Sequence, residues 1–248
     1  MGNLWKGFKE HRTFRFTSLL VILLIALVVL APVIAPYNPL EAVMKDANQA
    51  PSMAHLFGTD KLGRDVLSRI LYGGAYSLSS VLALVAIIFC VGTFLGLVAG
   101  YFGGLIDTVI MRIADMMISF PGVILAIAIA GIMGGSLVNA MIALTAVTWT
   151  KYARLSRSMV LKIRKRDFVD AAIVSGGTSS HILWTHIMPN VVPILVITAV
   201  SDIGAMMMEL AGLSFLGFGS QPPAPEWGYM LNEGRACMQS APWLMIFP

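Results

Sequence analysis

Long stretches of this chain contain no charged residue, and they restrict its fold more than any other feature. Examples run from Phe16 to Leu40 and from Ile70 to Ile106. About 18 apolar residues are enough for a helix to cross the hydrocarbon core of a bilayer. Only 12% of all residues are charged and 57% are hydrophobic, so a soluble fold would lack a charged surface. We therefore expect an all-α integral membrane protein.

The hydropathy pattern predicts a bundle of about six membrane-spanning helices. The expected spans are residues 17–34, a tilted helix between Gly74 and Gly103, residues 108–132, 138–152 and 191–216, and the beginning of a sixth helix at 241–248. Because the sequence stops at Pro248, we expect the last helix to be truncated. The basic start of the chain also fits a secretory signal peptide, but the first apolar region is longer than the usual 7–15 residues or so, which favours a retained helix.

Clusters of basic residues predict the orientation of the chain. One cluster precedes the first span and a second occupies residues 151–166. Cytoplasmic loops are enriched in lysine and arginine, so both clusters and the amino terminus are expected in the cytoplasm. This explains the net charge of +4 better than nucleic-acid binding does. We divide the chain into residues 1–75, with the first helix and an extracytoplasmic loop, and residues 76–248, with the other spans and the second basic cluster.

The cytoplasmic loop at about residues 158–190 carries the clearest functional pattern. Val169, Ala172, Ile173 and Gly176 follow a helical spacing, which predicts a short helix with one narrow face of small and apolar groups. Such a face suits docking into a groove of another protein. An amphipathic helix lying on lipid headgroups would show the same pattern, and the pattern alone leaves both interpretations open.

Three segments carry a resemblance to one family. The cytoplasmic loop resembles the coupling loop of ATP-binding-cassette importer permeases through the following residues: Asp170, Ala171, Ala172, Gly176, Ile187, Met188 and Pro189. Asp170 stands where that pattern usually has glutamate. Residues 55–69 and 214–228 resemble segments of the dipeptide, oligopeptide and nickel permeases. The three matches occur in the same order and cover most of the chain.

The resemblance implies a non-catalytic permease subunit in a bacterial or archaeal cytoplasmic membrane. Its partners would be a homologous second permease, two ATP-binding subunits that carry ATP and magnesium, and an extracytoplasmic substrate-binding protein. The chain itself would bind no cofactor. The loop around Asp170 to Gly176 would move with the ATPases. The substrate would be a di- or oligopeptide or nickel, and residues 202–207 slightly favour nickel.

The sequence lacks the signatures of covalent, nucleotide or metal chemistry. The spacing of Gly58 and Gly63 superficially resembles a phosphate-binding loop, but Arg64 and Asp65 replace the required Lys and Ser or Thr. On an α-helix, His181 and His186 would point about 140° apart, so we do not expect a shared metal. We therefore predict no catalytic residue and no metal site.

Four glycines spaced four residues apart predict close helix packing in the second span. They are Gly92, Gly96, Gly100 and Gly104. Small residues at this spacing form one stripe along a helix and allow another backbone to approach. We interpret the stripe as a packing device rather than a substrate contact.

Two carboxylates in the fifth span, Asp202 and Glu209, are the candidate residues of a translocation path, together with Met206. Carboxylates at the centre of a bilayer cost about 2.5–3.5 kcal/mol on insertion scales and should face protein or water. They could pair structurally with Arg112 or accept backbone and hydroxyl donors, although Arg112 could instead pair with Asp115. Alternatively, they could line the path and attract a cationic group, such as a peptide amino terminus or a divalent metal.

Two other classes of protein compete with this interpretation. A secondary transporter driven by an ion gradient would predict inverted repeats and broken mid-membrane helices, and we find no convincing repeat. A non-transporting membrane scaffold or assembly factor is the second alternative. Recovery of an ATPase with the tagged chain would separate both from an importer subunit.

Overall fold

The computed structural model describes residues 12–248, so Lys6 and Lys9 of the first basic cluster lie outside the described residues. The named secondary-structure elements of the described part are all helical. In chain order they are α1 (Arg12–Val29), α2 (Ala31–Ile34), a 3₁₀ turn (Met44–Asp46), α3 (Val66–Phe102), α4 (Gly104–Ile118), α5 (Gly122–Met133), α6 (Leu137–Ile163), α7 (Asp167–Val174), α8 (Ser179–His181), a π-helix (Ile182–Ile187), α9 (Met188–Phe215), α10 (Trp227–Arg235) and α11 (Trp243–Ile246).

Within residues 12–248, three helical segments are long and apolar enough to cross a membrane. They are α1, α3 and the continuous run Ser179–Phe215, and the bent pair α4–α5 counts as a fourth if it is one span. The prediction of an all-helical membrane protein is therefore confirmed. No residue of α1 is buried in the isolated chain, as expected for a helix that faces lipid.

The predicted third span, residues 108–132, consists of two helices that meet at a bend. α4 and α5 meet at an angle of 93°, with the break at residues 119–121. Pro121 has no backbone N–H to donate, and its ring disfavours helical backbone at Phe120. Hydropathy does not register this break, because both halves are apolar.

α6 is longer than the predicted span of residues 138–152. It continues to Ile163 and therefore includes most of the second basic cluster. Along one side it buries small residues and a tyrosine, including Ala140, Ala143, Tyr152, Ala153 and Ser156. α6 packs against α4, α5 and α9.

The chain forms two compact units. The first contains the described residues up to Ser77 together with Pro222–Pro248, and the second contains Leu78–Gln221. This grouping differs from the division into residues 1–75 and 76–248, because the carboxyl-terminal segment packs with the amino-terminal one. α3 contributes residues to both units.

The first unit is organised around buried charges as well as apolar side chains. Its apolar cluster consists of Val66, Met230, Ala241 and Leu244. Beside this cluster, Arg64 donates to both carboxylate oxygens of Glu233, at 2.9 and 3.1 Å.

Asp60 and Arg69 complete the buried ion network. Arg64 Nε lies 2.6 Å from Asp60 Oδ2, and Arg69 Nη2 lies 2.8 Å from Glu233 Oε2. Arg69 also pairs with Asp60. All four side chains are at most 7% exposed, so two arginines and two carboxylates neutralise one another away from solvent. The network joins the loop before α3 to α10.

In the second unit, the glycine stripe on α3 faces α6. A Cβ atom at Gly92 would lie 2.5 Å from the carbonyl oxygen of Trp149, and one at Gly100 would lie 2.8 Å from Val160 Cβ. A Cβ at Gly96 would collide with the carbonyl oxygen of Ala153. Three of the four predicted glycines therefore lie where two helix backbones approach closely.

Gly104 is the exception in the stripe. It begins α4 with φ +57°, and no atom lies within 4 Å of the position that its Cβ would take. The physical reason is that α3 ends at Phe102, so the helical periodicity on which the stripe was predicted does not extend to Gly104.

Candidate functional site

The predicted short helix of the cytoplasmic loop is α7, and both of its ends are defined by sequence. Asp167 and Asp170 lie in its first turn, where negative charge interacts favourably with the helix dipole. At its end, Gly176 adopts φ +82°, and its N–H donates to Ile173 O at 3.0 Å. Gly177 N–H donates to Ala172 O, also at 3.0 Å. These two bonds form a Schellman motif, which requires a left-handed residue and so favours glycine.

The face of α7 that the sequence predicts for docking is directed partly into the chain itself. Val169 is fully buried in the core of the second unit, and Ala172 packs partly against that core. Ile173 is half exposed, whereas Asp170 and Ala171 are exposed. Val169 of the predicted face therefore anchors α7 in the chain, whereas Ile173 and Gly176 stay exposed, and docking of this helix stays a prediction.

The open side of α7 combines apolar and acidic groups. Phe168 is 39% exposed and Val174 is 87% exposed. Asp167 and Asp170 are exposed on the same short helix. We call Asp167, Phe168, Asp170, Ala171 and Val174 the coupling surface.

Residues 179–190 anchor the other end of the loop. Ile187 is fully buried, whereas Pro189 is exposed in the first turn of α9, where a missing N–H is tolerated. The π-helix before it changes the direction of the two histidines. The rings of His181 and His186 are 5.7 Å apart, because residues five apart are neighbours in a π-helix. The expectation that they diverge was wrong, although no group of three or more metal-ligating residues occurs in the described part of the chain.

Two arginines on α6 join it to α4. Arg157 donates to both oxygens of Asp107 on α4 at 2.5 Å. Arg154, one turn earlier, pairs with Asp115 on α4. The expected pairing of Asp115 with Arg112 is thus replaced by a pairing between helices.

Asp202 on α9 is neutralised within the chain. Lys151 Nζ lies 2.7 Å from both carboxylate oxygens, and the hydroxyl of Tyr152 donates to Oδ2 at 2.9 Å. These partners, rather than Arg112, satisfy the charge. Met206, the third candidate path residue, is only 6% exposed and belongs to the apolar core of the second unit.

Glu209 has a different environment from Asp202. Across residues 12–248 it forms no hydrogen bond and no ion pair with the chain. Its half-buried side chain lines a groove of about 350 Å³ between α5, α6 and α9. The other lining side chains are apolar, among them Val123, Ile127, Met208 and Leu213. We call this space the Glu209 groove.

The sequence interpretation missed the partners of these carboxylates. Lys151, Arg154 and Arg157 were counted only as an orientation signal, although their spacing of three residues places them along neighbouring positions of one helix. That spacing is the signal that could have identified them. The choice of partner could not be found in the same way, because Asp107 and Asp202 are distant in sequence.

Comparisons with known proteins identify the family of the chain. The family model described as binding-protein-dependent transport system inner membrane component matches residues 92–248. A second model, the N-terminal transmembrane domain of oligopeptide transport permease C, matches residues 1–51.

Curated relatives match along nearly the whole chain. The dipeptide transport system permease protein of Alkalihalophilus pseudofirmus is 39% identical over 98% of this chain and 80% of its own length. The glutathione transport system permease protein of Pectobacterium atrosepticum is 40% identical, and that of Escherichia coli O157:H7 is 41% identical. Both of these alignments cover 98% of this chain and 81% of the relative.

Proposed function

The chain belongs to the family of binding-protein-dependent transport permeases, and from this premise we propose that it forms half of the translocation pathway of an ATP-driven peptide importer. It is a multi-pass membrane protein and a transport subunit rather than an enzyme. The observation that carries the proposal is α7, a short capped helix that is anchored by Val169 and presents an open surface beyond the end of α6.

The coupling surface is the proposed contact with a separate ATPase. Phe168 and Val174 supply apolar area that is left without cover in this chain, and Asp167 and Asp170 add negative charge. A partner groove with an apolar floor and basic edges would complement both features. ATP and magnesium would be bound by that partner, and this chain would bind no cofactor.

Movement of α7 would reach the membrane helices through α6. Only Arg164, Lys165 and Arg166 separate the two helices, so a displacement of α7 pulls directly on α6. The ion pairs of Arg154 and Arg157 then couple α6 to α4, and the pair of Lys151 couples it to α9. In this mechanism the coupling surface transmits force from the ATPases, and the paired helices change the access of the pathway.

The remaining partners and the orientation follow from the family. A homologous second permease would complete the pathway, and an extracytoplasmic binding protein would deliver the substrate. The amino terminus and α7 would face the cytoplasm, which is supported by the basic residues Arg164, Lys165 and Arg166 next to α7.

Short peptides are the proposed substrate class. The three relatives described above are permeases for dipeptides or glutathione by name. Residues 202–207 slightly favoured nickel in the sequence, but Asp202 is occupied by Lys151 and Tyr152. We therefore propose a peptide rather than nickel.

Uptake by the reconstituted complex tests this function. The chain is assembled in proteoliposomes with its second permease, ATPases and binding protein, and uptake of a labelled dipeptide is measured. We expect uptake to require ATP and to stop when the catalytic glutamate of the ATPases is replaced by glutamine. Uptake that persists in that variant, or that follows an ion gradient instead, would overturn the proposal in favour of a secondary transporter.

A further inference from the structure

We propose that Glu209 binds the protonated amino group of the peptide while the peptide occupies the Glu209 groove, an inference that rests on the proposed function. The groove would then be a substrate site within this chain. Glu209 would recognise the amino-terminal charge that all such peptides share, and the apolar walls of the groove would contact the side chains in which they differ.

The first argument is that Glu209 has an unmet electrostatic requirement. It lies in an apolar span, where an ionised carboxylate is unfavourable unless it is paired or faces water. Within the described chain it has no hydrogen bond and no ion pair. No cation of the described chain contacts it, so a counter-charge in direct contact with Glu209 would come from another chain, from a ligand or from solvent in the groove.

The second argument is the contrast with Asp202 on the same helix. Asp202 is held by Lys151 and Tyr152 at 2.7 and 2.9 Å, so it already has a cation and a hydroxyl donor. A cationic ligand would have to displace Lys151 to bind there. No cation of the described chain contacts Glu209, although Lys151 and Asp202 lie close enough to act on its charge. The structure thus distinguishes a carboxylate with a bound cation from one that a ligand can contact.

The third argument is the size and lining of the groove. A volume of about 350 Å³ lies within the range of about 300–1,000 Å³ that is typical of small-molecule sites. Met208 is 76% exposed at its edge, and flexible methionine side chains adapt to ligands of different shape. No atom lies within 4 Å of the position that a Cβ would take at Gly212, which leaves space beside Glu209 on the same helix.

These features match the common chemistry of short peptides. Such peptides differ in their side chains but share a primary ammonium group at pH 7. A single carboxylate in an apolar, adaptable groove recognises that shared group and tolerates the rest. A lysine or arginine of the second permease could also pair with Glu209, but an open groove favours a small cation that enters and leaves.

A labelling experiment without the binding protein tests this site directly. Met208→Cys serves as a reporter in the assembled permease and ATPase complex, in a background of Cys90→Ser and Cys237→Ser. We expect Ala-Ala to protect the reporter from a thiol reagent, and N-acetyl-Ala-Ala to give no protection. Adding Glu209→Gln should raise the Ala-Ala concentration needed for protection about ten- to hundredfold, which corresponds to the loss of one charge-assisted hydrogen bond.

Two further variants control for charge and for the substitution itself. Glu209→Asp keeps the charge and should retain part of the protection. Glu41→Gln makes the same chemical change at an exposed position of the first unit and should leave protection unchanged.

The proposal is overturned if acetylated and free peptides protect the cysteine reporter equally. It is also overturned if Ala-Ala protects the reporter in the Glu209→Gln variant at the same concentration as in the parent. It is also overturned if Glu209→Gln lowers recovery of the second permease, because Glu209 would then pair with that subunit. Failure of the proposed function appears differently, as a wild-type complex that does not import dipeptides with ATP.

Discussion

Arg64 and Glu233 lie 169 positions apart in the sequence and form a buried, two-bond ion pair at 2.9 and 3.1 Å. The pair fastens the loop before α3 to α10 within the first unit. Asp60 and Arg69 balance the remaining charge, so the network is neutral as a whole. Its members depend on one another, because removal of any one leaves an uncompensated charge away from water.

Replacing Arg64 by methionine should destabilise the first unit by about 3–5 kcal/mol, since it leaves Arg69 as the single arginine in the network for the two buried carboxylates of Asp60 and Glu233. Lys61→Met is the matched control, because Lys61 is 47% exposed and lies 3.9 Å from Glu233. An exposed pair of this kind is worth at most about 1 kcal/mol. Unfolding of the purified protein in detergent measures both variants. Equal stability of the two would show that the buried network contributes no more than the surface contact.

Several elements of the fold could be predicted from the sequence because their causes are local. The long stretch without charged residues predicted α1, and the helical spacing that ends at Gly176 predicted α7. The bend before Pro121 was also a local signal, but hydropathy averages over it. The facing rings of His181 and His186 could not be predicted, because an α-helical periodicity was assumed where the backbone is a π-helix.

The candidate site was less predictable because it depends on pairing between distant residues. The sequence identified Asp202 and Glu209 together, as two carboxylates near one helix face. Only the structure distinguishes them, since Lys151 and Tyr152 reach Asp202 from another helix. A single sequence contains no information about which of several lysines and arginines a carboxylate will meet.

Gly96→Ala should weaken the contact between α3 and α6. The added methyl group collides with the carbonyl oxygen of Ala153, and backbone atoms cannot move away as a flexible side chain can. Overpacking of this kind costs about 1–3 kcal/mol. Gly204→Ala is the control, because that helical glycine has no atom within 4 Å of its Cβ position.

Thermal unfolding in detergent separates the two alanine variants. We expect Gly96→Ala to unfold at a lower temperature than the parent. Gly204→Ala should be unchanged or more stable by up to about 1 kcal/mol, because alanine favours the helix. A Gly96→Ala protein as stable as the parent would contradict close packing at this position.

Gly176→Val should uncouple ATP hydrolysis from uptake while the protein still inserts into the membrane. A β-branched residue at φ +82° carries strain of about 1–3 kcal/mol, which distorts the end of α7. Gly176→Asn is the matched variant, because asparagine tolerates the left-handed conformation. The space beside Gly176 is open, so the two variants differ in backbone strain rather than in collisions.

The measurement for Gly176 is dipeptide uptake and ATPase activity of the reconstituted complex. Uptake should fall strongly in the valine variant and remain close to the parent in the asparagine variant. If both variants lose uptake equally, the side chain interferes with the docking partner and the backbone conformation is not the cause. Normal uptake in the valine variant would exclude a coupling role for the end of α7.

Reversing one member of the Arg157 and Asp107 pair should impair transport, and reversing both should restore it. Arg157→Asp places two carboxylates where two bonds of 2.5 Å now join α6 to α4. The double variant Arg157→Asp with Asp107→Arg recovers an opposite-charge pair. Coupling energies between contacting residues are about 0.5–3 kcal/mol, so the loss in the double variant should be smaller than the sum of the two single losses by that amount.

Uptake normalised to the amount of assembled complex provides the readout, because a purely structural pair would change assembly and leave uptake per complex unaltered. Strictly additive effects of the two changes would show that α6 does not act on α4 through this pair.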